Sequence, residues 1–448
     1  MKRASIMILM ATLAGSPAFS AAQEPPPAAE LPAGPPLTLE QAIDYGLNFS
    51  RRLAELKARG DAAIAAVSGF KAMDKPSISV QAGYARTNHV TEFGVRAPGG
   101  GFQVIYPDVP DNYRTRLDLQ WPIYSGGRTP ALVQAAAAEA EATGKDLEAA
   151  RADLTLEITR TYLATLTAFE SERVLEQALA RVDAQLTDVR NQLNVGLVAP
   201  SDVLSVEAQR SRQRMLLIDA RAQRDVAAAD LRRLTGMAPE APFTIALDLT
   251  EPIAPPDLPQ ALLSEAQTRR PEREAYQRRF SAAGARRIAA AAGRRPVMAV
   301  AAGYDYARPN PRIFPREERW RDSWDVGVNV SWSIWDGGRV AAEVAGARAD
   351  EVVAQERLND FEERLMAEVR QHRLTLISRL ASIAAAEDGV RSAAEARRVT
   401  ADRFAAGVAT STELLDAQVA LLSAELDRTR ALAEARLAEA RLRRTVGR

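Results

Sequence analysis

The chain has no cysteine among its 448 residues. That absence excludes disulfides, a cysteine zinc site, a thiol nucleophile and a lipid-modified N-terminal cysteine, so packing and assembly have to supply the stability. It also lacks an excess of either charge. Lys and Arg number 58 and Asp and Glu 58, with no block of one sign, so nucleic acid is not an expected partner. Long apolar runs are missing too. The one candidate, "IMILMATLAG" within Met1 to Ala22, is shorter than the roughly 20 residues of a spanning helix. With Lys2 and Arg3 before it and the small residues of "FSAA" behind, it reads as a secretory signal. Without Lys2 and Arg3 the basic count falls to 56 against 58 acidic, a net charge of −2. A membrane crossing by the remaining chain has to be made by strands. Catalytic groupings are absent as well: His89 and His372 stand apart, and "APGGGF" from Ala97 has no following Lys-Ser/Thr, which rules out a phosphate loop. No enzyme activity, cofactor or metal is expected.

What is present is a duplication. "WPIYSGGR", Trp121 to Arg128, recurs as "WSIWDGGR", Trp332 to Arg339, 211 residues later. The spacing holds without a gap through "VGLVAPSDVLSVEAQ" from Val195 over "AGVATSTELLDAQVA" from Ala406, which places Gly196 over Gly407 and Asp202 over Glu413. Upstream, "SVQAGYAR" from Ser79 matches "AVAAGYDYAR" from Ala299 at a spacing of 220. The first copy therefore holds nine extra residues between Tyr84 and Trp121. The organisation is a signal peptide at 1–22, a proline-rich N-terminal segment at 23–37, a first repeat at 38–235, a proline-rich linker at 236–257 and a second repeat at 258–448. Each repeat reads as helix, strand, loop, strand, very long helix, turn, shorter helix.

The strands alternate. Trp324, Val326, Val328, Val330, Trp332 and Ile334 are apolar, and Asp325, Gly327, Asn329, Ser331 and Ser333 between them are polar or small. The first repeat keeps the same phase with Tyr113, Leu117, Leu119, Trp121 and Ile123 against Arg114, Arg116, Asp118 and Gln120. Ile78 to Tyr84 and Met298 to Tyr306 are their weaker partners. A lone strand of this kind suits a sheet on a soluble core. Four of about ten residues each, with aromatics near their ends, fit a lipid-facing barrel, with Trp121, Ile123, Trp332 and Ile334 on the lipid side. Four strands cannot close a barrel, so copies must combine; a dimer gives eight strands and a trimer twelve, and strand counting does not decide between them.

From Arg128 to Asn194 and from Arg339 to Ala405 no proline follows Pro130, and apolar residues recur at steps of three and four, as in a coiled-coil seam. Each stretch makes a rod of about 100 Å at about 1.5 Å per residue. The helices at 202–234 and 413–446, and those near 39–72 and 258–292, are about half as long, so two stacked end to end match one long helix. Gly126, Gly127, Gly337 and Gly338 give the backbone freedom to pass from strand to helix, and Gly196 and Gly407 mark the ends of the long helices.

Taken together, the duplication, the two "GGR" junctions and the tip motifs "VGLVAPSD" and "AGVATSTELLD" resemble the TolC-like outer-membrane factors, the outer-membrane efflux protein family. The resemblance covers the chain from about Leu37 onward. It implies a mostly α fold with β-barrel strands, in a homotrimer with a 12-strand β-barrel in the outer membrane continued by a 12-helix periplasmic tunnel. It implies an exit duct of a tripartite efflux pump or type I secretion system, with a periplasmic adaptor (membrane fusion protein) and an inner-membrane transporter of RND or ABC type as partners. The other reading, a periplasmic coiled-coil adaptor or scaffold without a pore, leaves the apolar strand faces unexplained. By resemblance, Glu413 and Asp416 form an acidic ring at the periplasmic entrance, and Gly196, Asp202 and Gly407 belong to tips that contact the adaptor. A tyrosine and an arginine that help to close that entrance in the family are replaced here by Phe404 and Ala409, so a differently held resting state is expected. Thr410 to Thr412 and Ser201 are expected helix caps.

Overall fold

The computed structural model describes residues 36–96, 98–246 and 249–448. The expected signal peptide and most of the proline-rich N-terminal segment lie outside the described residues. A short strand β1 (Pro36–Leu37) ends the N-terminal segment, and the first repeat opens with helices α1 (Leu39–Phe49) and α2 (Arg51–Ala72). Strands β2 (Ser77–Arg86), β3 (Phe93–Arg96), β4 (Phe102–Tyr106) and β5 (Asp111–Tyr124) come next. The long α3 (Arg128–Asn194) and then α4 (Pro200–Thr235) complete it. The linker contributes β6 (Thr244–Ile245), parallel to β1. The second repeat comprises α5 (Pro259–Arg269), α6 (Pro271–Ala291), a 3-10 turn (Ala292–Arg294), β7 (Val297–Arg308), β8 (Arg321–Ser331), α7 (Arg339–Ala405) and α8 (Ser411–Val446).

Three features differ from the sequence expectation. The helix that opens each repeat is broken in two: Ser50 caps α2 through its hydroxyl, which accepts from the Leu53 amide at 3.3 Å, and Pro271 starts α6 because its missing N–H is harmless in a first turn. The extra residues of the first repeat are not a plain loop; β3 and β4 pair as an antiparallel hairpin. Finally, β8 ends at Ser331, so Trp332 and Ile334 lie beyond the paired strand. The physical reason is the end of its neighbour: Val297, the first residue of β7, pairs with Ser331, and β7 has no earlier residue to pair with Trp332.

The sheet runs β2-β5-β7-β8, antiparallel throughout, and the two repeats meet at β5 and β7. Val80 faces Leu117, Leu117 faces Tyr304 and Tyr304 faces Trp324, so the apolar residues of all four strands share one side. That side is exposed, Trp324 to 71%. The opposite side carries the charges. Arg114 donates to Asp305 at 2.6 Å, Arg116 pairs with Asp305 and with Asp118, and Arg312 reaches Asp325 at 2.8 Å. Asp305 is buried among these partners. Apolar outside and charged inside is the reverse of a sheet on a water-soluble core.

Aromatic rings collect at both ends of the strands. Tyr306 stacks on Trp320 with centroids 4.9 Å apart, and Tyr84 lies 4.9 Å from Tyr113. At the other end the Trp121 indole donates to the Asp74 carbonyl at 3.2 Å, and the Trp332 indole to the Arg294 carbonyl at 3.1 Å. These are matching contacts in the two repeats. Rings with an apolar body and a polar donor suit the two boundaries of a bilayer.

The helices form a wall. Next to the sheet the packing order is α2, α3, α6, α7; towards the far end it is α4, α3, α8, α7. The cores of the two repeats use matched positions: Leu154, Ile158 and Leu231 in one, Leu365, Val369 and Leu442 in the other. A single buried arginine ties them. Arg444 donates to Asp153 at 2.9 Å and pairs with Glu272, while Arg270 donates to the Arg444 carbonyl at 3.2 Å.

This packing makes two results measurable. Ile158 is fully buried, so Ile158→Ala is expected to destabilise the protein by about 2–5 kcal/mol through the cavity it leaves, read as a lowered midpoint in denaturant unfolding. His372 meets the Thr445 hydroxyl at 2.6 Å. Burial pulls its pKa down against the attraction of Glu368, and Arg441 and Arg270 add to the effect. The folded chain thus keeps it neutral where the unfolded chain takes a proton, and stability present above about pH 6.5 is lost as pH falls. His372→Gln should flatten that decline in thermal unfolding between about pH 7 and about pH 5; an unaltered slope would contradict the assignment.

Candidate functional site at the helical tips

Strand-to-helix junctions set the direction of the rods. Gly126 and Gly127 have φ of 66° and 88°, and Gly337 and Gly338 have 68° and 91°. Two successive left-handed residues turn the chain from tilted strand to helix axis, at a cost that only glycine avoids. The residue before each pair receives the first helical amides. The Asp336 carboxylate accepts from Gly338 and Val340, both at 2.9 Å, and the Ser125 hydroxyl accepts from Thr129 at 3.3 Å. Asp336 and Ser125 are counterparts, as are Val340 and Thr129, so the small polar residue of each "GGR" motif is a helix cap.

At the far end both long helices stop in the same way. The Leu197 amide donates to the Gln192 carbonyl at 2.8 Å, and the Val408 amide to the Arg403 carbonyl at 2.8 Å. Gly196 and Gly407 stand in the left-handed position of this motif, φ 76° and 72°. Open space surrounds both, so conformation rather than room requires glycine there. Leu197 and Val408 come directly after them and are exposed.

The next helices begin differently. Thr410 caps α8, its hydroxyl accepting from the Glu413 amide at 3.2 Å. In the first repeat Ala199 holds the cap position, Pro200 and Ser201 lie inside α4, and Asp202 accepts from the Ala199 amide at 3.1 Å. Ser201 is therefore not the cap. The consequence is electrostatic: the Asp202 carboxylate is engaged locally, while Glu413 and Asp416 are exposed and their carboxylates make no hydrogen bond or ion pair among the described residues.

Phe404 is partly buried in an apolar cluster shared by both tips, with Val182, Leu186 and Val189 of α3, Val203 and Val206 of α4 and Leu415 of α8. Its counterpart Leu193 packs in the same cluster. Arg181 crosses from α3 to Glu425 of α8 at 2.7 Å. The two tips are thus joined by packing and one ion pair. Ala409 contributes only backbone there, its amide donating to the Arg403 carbonyl at 3.2 Å.

His89 contacts Asp108 at 2.7 Å in the region between β2 and β3. No group of side chains suited to hold a metal occurs among the described residues. Sequence reading missed the charge network of the sheet. Arg114, Arg116 and Asp325 belong to the polar alternation of their strands, but the register that brings Asp305 of the second repeat to Arg114 and Arg116 of the first is set by tertiary pairing.

The sequence model of the family described as outer membrane efflux protein matches residues 43–237 and 262–448, one span in each repeat. Protein CyaE of Bordetella pertussis is 29% identical over 364 residues, 78% of this chain and 71% of that protein. Among solved structures, the outer-membrane channel OprN is similar with a TM-score of 0.73 and 22% identity, over 91% of this chain and 89% of that one. The outer membrane protein VceC of Vibrio cholerae gives a TM-score of 0.75 and 19% identity, over 91% of this chain and 96% of that one. With an apolar sheet face banded by aromatics, a helical wall leading from it and a family match on each repeat, the chain belongs to the outer membrane efflux protein family, as an outer-membrane exit duct for efflux or secretion whose helices extend into the periplasm.

Proposed function

We propose that three copies close into a ring, giving a 12-strand barrel and a 12-helix tunnel through which cargo passes passively from an inner-membrane transporter to the exterior. The observation that carries this reading is the pair of unfinished edges. β2, α2 and α4 border one side of the chain, and β8 and α7 the other. Strand edges are not tolerated in hydrocarbon. Joining one edge to the opposite edge of a second copy is a head-to-tail contact that ends only when the ring closes. Two copies would make eight strands, whose interior side chains fill. Three leave a lumen.

The seam inside the chain supports a register for the seam between chains. Trp121 faces Val300, and the counterparts of this pair are Trp332 and Val80. A neighbouring β2 placed on β8 in this way extends the strand past Ser331 and restores Trp332 and Ile334 to the lipid-facing side, together with Trp121 and Ile123.

At the periplasmic end, three chains bring roughly six carboxylates from Glu413 and Asp416 to one constriction, where crowded like charges attract cations. The exposed Leu197 and Val408, beside Gly196, Gly407 and Asp202, suit the helical hairpins of a periplasmic adaptor (membrane fusion protein), which in turn links the duct to an RND or ABC transporter. No catalysis is assigned to the chain.

Planar-bilayer recording of the outer-membrane protein tests the reading: channels are expected from a species with the native mass of three chains, and a non-conducting monomer would sink it. Glu413→Gln with Asp416→Asn should lower the preference for cations measured from reversal potentials. Phe404→Tyr, which offers a hydroxyl where Phe404 has only packing, should reduce the resting conductance; an already tightly closed pore that this change leaves untouched would speak against a packing-held tip.

A further inference from the structure

Matched positions on the two long helices have very different surroundings. Leu163 and Leu166 of α3 are 3% and 4% exposed, packed with Leu432 and Leu437 of α8. Their counterparts on α7, 211 residues on, are Leu374 and Ile377, which are 62% and 40% exposed. The counterpart of Leu437 is Val226 of α4, at the opposite border of the chain, and it is 64% exposed. An apolar contact made inside the chain is thus left open, one half at each border.

Nearer the sheet, the internal seam between α3 and α6 fixes a register. Arg279 pairs with Asp146, and Arg286 with Glu139 at 3.3 Å. Ala142 lies between the two acids and Ala282 between the two arginines. Both alanines are fully buried, so these antiparallel helices set Ala142 against Ala282. Shifts of 211 and 220 residues carry this seam to α7 and α2, where Val353 stands for Ala142 and Ala62 for Ala282. There both positions are exposed.

The charges on these two faces complement each other. Glu139 and Arg279, 3.6 Å apart within the chain, correspond to Asp350 and Arg59. Asp146 corresponds to Arg357, a reversal of sign that the facing helix answers. Glu55 stands one turn before Arg59, where the internal seam has the buried Ala275. Glu55 and Arg59 pair with each other at 2.5 Å. The side chains of Asp350 and Arg357 make no hydrogen bond or ion pair among the described residues. Brought together, two acids and two bases alternate in sign. One heptad nearer the sheet, the buried Ala135 and Ala289 correspond to Gly346 and Gly69. Glycine is unfavourable inside a helix, and a Cβ at either position would meet nothing in the chain itself.

We propose that the exposed face of α7 docks on α2 and α4 of a second copy in the register of the internal seam. Val353 then lies on Ala62, Asp350 and Arg357 meet Arg59 and Glu55, and Leu374 with Ile377 covers Val226. The inference rests on the ring assembly proposed above and adds its helical register. The same two shifts place Trp332 on Val80 in the sheet, so strands and helices join without a slip between them.

Absence of native cysteine makes the test direct. A chain carrying Val353→Cys and a second, differently tagged chain carrying Ala62→Cys are co-expressed, and their outer membranes are oxidised. Each chain has a single thiol, so every bond between the two tags crosses a subunit boundary. The expected result is a disulfide-linked heterodimer within an assembly of native trimer mass, lost when Val353→Cys is replaced by Leu374→Cys, about 32 Å further along α7. A trimer without the Val353–Ala62 linkage, or one linked equally well through Leu374→Cys, overturns the register and leaves the assembly standing. A monomeric mass overturns both.

Discussion

A strand edge in hydrocarbon exposes backbone donors and acceptors where no water can satisfy them, and the rest of this structure depends on that constraint. The four strands present an apolar face outward and bury Asp305 between two arginines inward, which suits lipid on one side and an aqueous lumen on the other. Such a sheet is unstable alone in either solvent. The helices repeat the problem at larger scale, since α7 carries exposed apolar side chains over much of its length while α3, flanked on both sides, buries them. A single chain is one segment of a wall, and in the proposed ring its stability belongs to the closed assembly.

Duplication solves the design with few parts, and the repeats show which features are geometric and which are chemical. Trp121 and Trp332 make the same indole contact with the same type of acceptor. Elsewhere the position is kept and the chemistry changes: a tyrosine hydroxyl or an arginine holds the backbone leading into the first helix, and a serine or an aspartate caps the long one. The left-handed Gly236 and Gly447 close the shorter helices, over Phe49 in one repeat and Arg269 in the other. What is preserved is where the backbone needs a partner.

That distinction also explains how much of the fold is legible in the residues alone. Both long helices, Arg128–Asn194 and Arg339–Ala405, are legible to their ends because paired glycines start them and a single left-handed glycine stops them. The apolar strand face is legible because period-two alternation is local. The hairpin from Phe93 to Tyr106, by contrast, has no counterpart in the second repeat to reveal it, and the breaks at Ser50 and Arg270 interrupt no apolar pattern. Phe404 is legible as a missing hydroxyl, but its place in a core shared by both tips depends on helices far away in sequence. Local signals give elements; contacts between the repeats arise only once those elements are packed.

The charge network of the sheet also decides where a closed ring is weak. Arg114 and Arg116 belong to the first repeat and Asp305 to the second, so the network staples the junction within a chain. At the corresponding positions of the outer edges stand Asp325, Gly327 and Ala85, which cannot form it. A ring closed from these chains therefore alternates between riveted joints and plain ones. In the proposed ring the plain joints are where separation under force or solvent stress is expected, with the four strands of each chain held together as a panel.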